Sequence, residues 1–121
     1  MTTQEVAARY YQLACENNWS DIQETLHDED IVQREPEHGV PAGIETITRG
    51  KAAVKAKSIA HRAMIEAMHN RHTSEPVVAG NFFTTVLKRD VTYKGRPRAN
   101  SEEIAVMEVK DGKIVSETFF Y

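Results

Sequence analysis

Between Gly80 and Tyr121 the chain runs through three apolar segments separated by short glycine turns, a pattern that leaves few folds open. Phe82 to Tyr93 reaches Lys94-Gly95, Ile104 to Val109 reaches Asp111-Gly112, and Ile114 to Tyr121 follows. Glycine after a lysine or an aspartate supplies the positive φ that a tight turn needs. The expectation is an antiparallel meander whose last residue is still in strand. The first 64 residues carry helical spacing instead. Helices before sheet point to an α+β fold, with three N-terminal helices packed on the concave face of a curved, mostly antiparallel sheet. Such a shape is a single domain over residues 1–121 and encloses a pocket.

Local signals place the elements. Thr2 and Glu5 form a capping-box pattern, and Val6, Tyr10, Leu13 and Ala14 make one apolar stripe that ends at Asn17-Asn18. A second helix is predicted from Ser20, with Gln23 repeating the capping pattern. Its inward residues are Trp19, Ile22 and Leu26, and it stops in the acidic turn His27-Asp28-Glu29-Asp30. Ile31 to Glu35 reads as a short strand ended by Pro36, and residues 37 to 50 as a loop or an interrupted strand. The third helix spans Gly50 to about Met64, and Ile65 to Ser74 is a long edge strand before the bend at Glu75-Pro76. Lys51, Lys55 and Arg62 fall opposite Ala52, Ala56, Ile59, Ala60 and Ala63, which predicts a wet basic face and a packed alanine face.

Composition excludes several function classes. Net charge is −3, and no aromatic residues interleave with the basic cluster Arg49, Lys51, Lys55, Lys57 and Arg62, so nucleic-acid binding lacks support. No segment approaches the roughly 20 apolar residues that span a bilayer, and the first 30 residues show no secretion signal. The single cysteine, Cys15, excludes an internal disulfide, reads as a small buried residue, and fits a cytoplasmic location. His61, His69 and His72 lack metal-ligand spacing, so no metal and no cofactor is expected.

Arg9-Tyr10 in the first helix, Ile22 after it, and Glu35-Pro36 at the end of the first strand resemble ketosteroid isomerase and its relatives. Glu102-Glu103-Ile104-Ala105-Val106, Asp111-Gly112-Lys113-Ile114-Val115 and Ser116-Glu117-Thr118-Phe119-Phe120-Tyr121 resemble the closing hairpin of SnoaL-like proteins. Both belong to the nuclear-transport-factor-like superfamily of cystatin-like cones. The resemblance implies a pocket for a small apolar carbonyl compound, with an isomerase- or cyclase-type proton transfer. It puts Glu35 at the position of the general base and Tyr10 at that of the oxyanion donor. The family's second acid falls here on Ile104 or Ala105, neither of which donates a hydrogen bond, and Glu103 is the nearest substitute. The alternative is a cone that binds a ligand, or only provides structure, without chemistry.

The rest of the pocket follows from strand alternation. Glu103 shares a face with Ala105 and Met107, and Val115, Glu117, Phe119 and Tyr121 share a face that the resemblance turns toward the cavity. Glu117 among apolar neighbours is either a functional carboxylate or half of an ion pair with an arginine or histidine. His72 and Trp19 complete the candidate lining, with Arg71, Arg89 and Arg98 available as counterions. The opposite face, carrying Ile104, Val106, Ile114 and Phe120, is apolar enough to predict a homodimer through the convex side of the sheet.

Overall fold

The computed structural model describes residues Met1–Tyr121. Helix α1 (Thr3–Cys15) starts with the expected capping box: Glu5 N donates to Thr2 Oγ1 at 3.1 Å, and Thr2 N donates to Glu5 Oε1 at 2.9 Å. It ends where Asn17 takes a left-handed φ of 56°, and Asn18 N closes back onto the Leu13 carbonyl. The next helix is capped two residues earlier than predicted: Asn18, rather than Ser20, accepts from Asp21 N at 3.2 Å. One α-turn, α2 (Trp19–Asp21), runs straight into a π-turn at Ile22–Leu26. The widened turn puts both Ile22 and Leu26 into the core.

The acidic segment after Leu26 is strand, not turn. β1 (His27–Arg34) turns His27 and Ile31 inward, and a register irregularity between His27 and Val32 leaves the intervening Glu29 and Asp30 exposed. A 3-10 turn at Glu37–Gly39 and the short β2 (Ile47–Arg49) fill the stretch before α3 (Lys51–Ala63). β3 (Ile65–Thr73), β4 (Val77–Ala79), β5 (Phe82–Tyr93), β6 (Ala99–Lys110) and β7 (Lys113–Phe120) follow. β4 is a hairpin arm before Gly80 that the periodicity did not show. β7 stops at Phe120, one residue short of the expectation.

The seven strands form one curved, unclosed sheet in the order β2-β1-β7-β6-β5-β3, with β4 paired to β5. Every pairing is antiparallel except β1 with β7. The β6–β7 turn is Asp111-Gly112, with φ of 51° and 75°, as a two-residue hairpin of matching twist requires. Register shifts in β3 and between β6 and β7 bend the sheet. The second shift pairs Glu108 with Ser116 but Val109 with Ile114. Val115 is therefore the extra residue, and Ile114 turns inward beside Glu117. Ile114 is fully buried, which corrects its expected place on the convex face.

The core joins the α1 stripe (Val6, Ala7, Tyr10, Leu13, Ala14) to Phe83, Ala105, Met107 and Val109 of the sheet. Each large apolar side chain buried there contributes roughly 1.5–3 kcal/mol. Met107 is wholly enclosed in this layer and is not part of the cavity wall, contrary to expectation. Cys15 is exposed, because it stands one residue past the stripe on the outer side of α1.

Helix α3 is inverted relative to the expectation. Ala52, Ala56, Ile59, Ala60 and Ala63 are exposed, with Ile59 at 60%. Val54 is buried, and Lys51, Lys55 and Lys57 turn toward the body of the protein. Charge pairing explains the choice. Lys51 reaches the Glu24 carbonyl at 2.7 Å and Lys55 reaches the Glu24 carboxylate, so the basic face finds acceptors that the alanine face could not use. No helix is long and apolar enough to cross a membrane.

Candidate functional site

The helices and the concave sheet face enclose a cavity of about 760 Å³, within the range of small-molecule sites. Its wall contains Tyr10, Trp19, Glu35, Glu103, Glu117, Phe119 and Tyr121, and His72 stands exposed at its margin. A separate depression of about 600 Å³ runs along residues 37–49, formed by that loop itself and without convergent acid–base groups.

Glu35 follows the last residue of β1, and its side chain is only 15% exposed. Lys57 Nζ donates to Glu35 Oε1 at 3.1 Å and to Gln33 Oε1 at 2.9 Å, while the Tyr121 hydroxyl donates to Glu35 Oε2 at 2.8 Å. Burial first, and then the bond to Glu35, raise the Tyr121 pKa, so this hydroxyl keeps its proton. Tyr121 packs so closely on Gly39 that a Cβ there would overlap its ring. Only glycine leaves room for the tyrosine to reach Glu35.

Glu103, on β6, is placed by the pairing of Leu87 with Glu103 and of Ala105 with Phe119. Its Oε2 lies 3.3 Å from Arg89 Nη2. Burial raises the Glu103 pKa; Arg89 opposes that shift, while Glu35 and Glu117 reinforce it. Glu117 is 5% exposed, and its Oε1 contacts His27 Nε2 from β1, also buried. Neither ring nitrogen of His27 completes an aligned hydrogen bond within the protein. Of the two alternatives for Glu117, the structure shows the ion pair, and shows it in the cavity wall.

Tyr10 forms the floor. It is 2% exposed and stacks edge-on against Trp19 and Phe83, with ring centroids 6.0 and 5.4 Å away. Burial and the nearby Glu117 charge raise its pKa. The Arg71 guanidinium lies over the Trp19 ring at 5.4 Å. His61 Nε2 is 2.9 Å from the Tyr93 hydroxyl, and burial with Arg89 and Arg71 nearby lowers its pKa, which favours the neutral imidazole.

Sequence reasoning brought the three glutamates and two tyrosines to one wall, but missed what holds them. Lys57 looked like solvent-face charge, and His27 looked like turn. Alternation carried no signal for His27, because Glu29, two residues on, is exposed where a regular strand would bury it. Arg98, offered as a cavity counterion, instead grips Asp90 at the surface through two hydrogen bonds of 2.8 and 2.6 Å.

Comparison with known proteins places this geometry. The family model for the SnoaL-like domain matches residues 1–121. A Mesorhizobium loti structure, provisionally named a SnoaL-like polyketide cyclase with carbohydrate phosphatase in brackets, is 30% identical, covers 100% of both chains and has a TM-score of 0.90. A Xanthomonas campestris protein of unknown function with a cystatin-like fold has a TM-score of 0.79 at 16% identity, covering 99% of this chain and 90% of its own. A ketosteroid isomerase-like fold from Catenulispora acidiphila, in complex with trimethylamine, has a TM-score of 0.67 at 19% identity, covering 85% and 81%. No curated protein matches significantly.

Proposed function

The chain belongs to the SnoaL-like domain family, and from that premise we propose a small-molecule-binding cone that catalyses proton transfer on a carbonyl compound, as in an isomerase or cyclase. The name given to the Mesorhizobium loti relative supports the reaction class. One observation carries the proposal: a buried carboxyl with a raised pKa, Glu103, shares a cavity wall with Glu35, a carboxylate oriented on both oxygens.

Glu35 takes a proton from the carbon next to the substrate carbonyl. Lys57 and Tyr121 fix its direction while leaving it further lone pairs. The carbonyl oxygen gains the charge and accepts hydrogen bonds from the Tyr10 hydroxyl and from the Glu103 carboxyl when it carries its proton, the form that burial favours. Returning the proton to another carbon isomerises the substrate, and attack of the enolate carbon on a second carbonyl closes a ring. Glu103 thus stands in for the acid that Ile104 and Ala105 cannot supply.

A non-catalytic ligand carrier is the second reading, favoured by the engagement of both Glu35 oxygens before any substrate arrives. Mass spectrometry of metabolites released from the purified protein identifies the compound class. Deuterium exchange at the α-carbon of 2-tetralone, followed by proton NMR, then tests the chemistry. Glu35→Gln is expected to slow exchange by about 10² to 10⁴ with ketone affinity nearly unchanged. Exchange at the buffer rate in the wild type, or an unaffected Glu35→Gln variant, would leave only the carrier. We also assign a homodimer through the convex face, where Ile104 (47% exposed) pairs with Phe120 (55%), and a reducing cytoplasm suited to the exposed thiol of Cys15.

A further inference from the structure

The cavity holds more cationic donors than its own carboxylates satisfy. Arg71 on β3 and Arg89 on β5 are direct cross-strand partners, and both line the cavity. Like charges in that position repel. Glu35 is taken by Lys57, Glu117 by His27, and Glu103, when ionised, by Arg89, but Arg71 pairs with no carboxylate and rests on the Trp19 face. The Nε groups of both arginines and Nε1 of Trp19 are buried without a partner in the protein, and each is an N–H donor. Lys94 and Arg96, exposed at the cavity margin and outside any ion pair, extend the positive field outward. Burial and the facing Arg89 pull the Arg71 pKa below its ordinary value, as expected of a cation lacking a counterion, though a guanidinium stays charged.

Resting on the small-molecule reading above and deepening it, we propose that the ligand carries a carboxylate, which Arg71 binds over the Trp19 ring with Arg89 as the second donor. The planar guanidinium fork matches a carboxylate bidentately. The anion relieves the repulsion between the two arginines and supplies the missing acceptors. The compound is thus a keto acid or a similar oxo-carboxylate, anchored by its acid group at the β3–β5 side while its carbonyl meets Glu35 and Glu103. The polar wall also narrows the apolar substrate expected from resemblance: an apolar part can rest on Trp19, Leu87 and Phe119, while the acid group meets the arginines.

Phenylpyruvate, its neutral methyl ester, 2-tetralone and inorganic phosphate serve as probes in titrations followed by ¹⁵N NMR of the arginine Nε–H and tryptophan Nε1–H signals. Phenylpyruvate should bind at least about tenfold tighter than its ester, the worth of one charge-assisted contact, and should shift the Arg71 and Trp19 signals. Arg71→Gln should remove that preference, bringing phenylpyruvate affinity down to that of its ester. Removing Arg71 orphans no carboxylate, so the variant should fold, and its melting temperature should equal or exceed that of the wild type. Equal binding of acid and ester, or a preference intact in Arg71→Gln, overturns the carboxylate assignment while the small-molecule reading stands. Phosphate binding as tightly as phenylpyruvate marks a general anion site and overturns it too. If no organic probe binds, the small-molecule reading itself falls.

Discussion

Splitting the His27–Glu117 pair should destabilise the protein more than almost any other single change. The two side chains are only 3% and 6% exposed, so either one left alone is a buried polar group. Breaking such a pair by removing one partner costs about 3–5 kcal/mol, because the other charge stays in a poorly solvated site. Unfolding entropy near about 2.1 cal/mol/K per residue means that each kcal/mol lowers the melting temperature of a chain this size by about 4 °C. His27→Leu should therefore melt about 12–20 °C lower. Glu117→Met leaves only an imidazole without its partner, at a cost of about 1–3 kcal/mol. The double variant replaces the pair with apolar groups of similar volume, and should lose no more than about 2 kcal/mol. Urea unfolding of the wild type and the three variants, followed by circular dichroism, measures the cycle. If the two single changes add to within about 0.5 kcal/mol in the double variant, the side chains are not coupled and the reasoning fails.

Two more outcomes follow from the same structure. Because the folded-state pKa of Glu103 is raised, its contribution to stability is complete below the ordinary glutamate value of about 4.3 and is lost as pH rises through the folded value. Glu103→Gln should thus stabilise the protein at neutral pH and show no gain near pH 4; a melting-temperature series that is flat across this range contradicts the assignment. Phe120→Glu, at an exposed convex position paired with Ile104, should convert the proposed dimer to a folded monomer with little change in urea stability of the subunit. Sedimentation equilibrium that gives one-chain mass for the wild type at micromolar concentration rejects the dimer.

Much of the fold was legible because it rests on neighbours in sequence. The Thr2–Glu5 box, the α1 stripe and the Asp111-Gly112 turn each depend on a few adjacent residues, and each formed as read. β4 and the strand character of His27–Asp30 were not legible, because short or acidic strands exist only through the partners that accept their backbone hydrogen bonds. Cys15 misled for a simpler reason: a small apolar type predicts burial on average, whereas its angular position on α1 decides it.

What the order of residues determined alone was period and punctuation: where the backbone turns, which residues alternate together, and that helices precede sheet. Tertiary structure decided which faces meet. It turned the lysine side of α3 inward, shifted one residue at Val115 so that Ile114 joined Glu117, and set Arg71 opposite Arg89. Periodicity constrains one segment at a time, but the cost of burying a charge depends on what the rest of the chain brings within a few ångströms. A site built from His27, Lys57, Arg71 and Tyr121, drawn from four distant segments, becomes visible only once those distances exist.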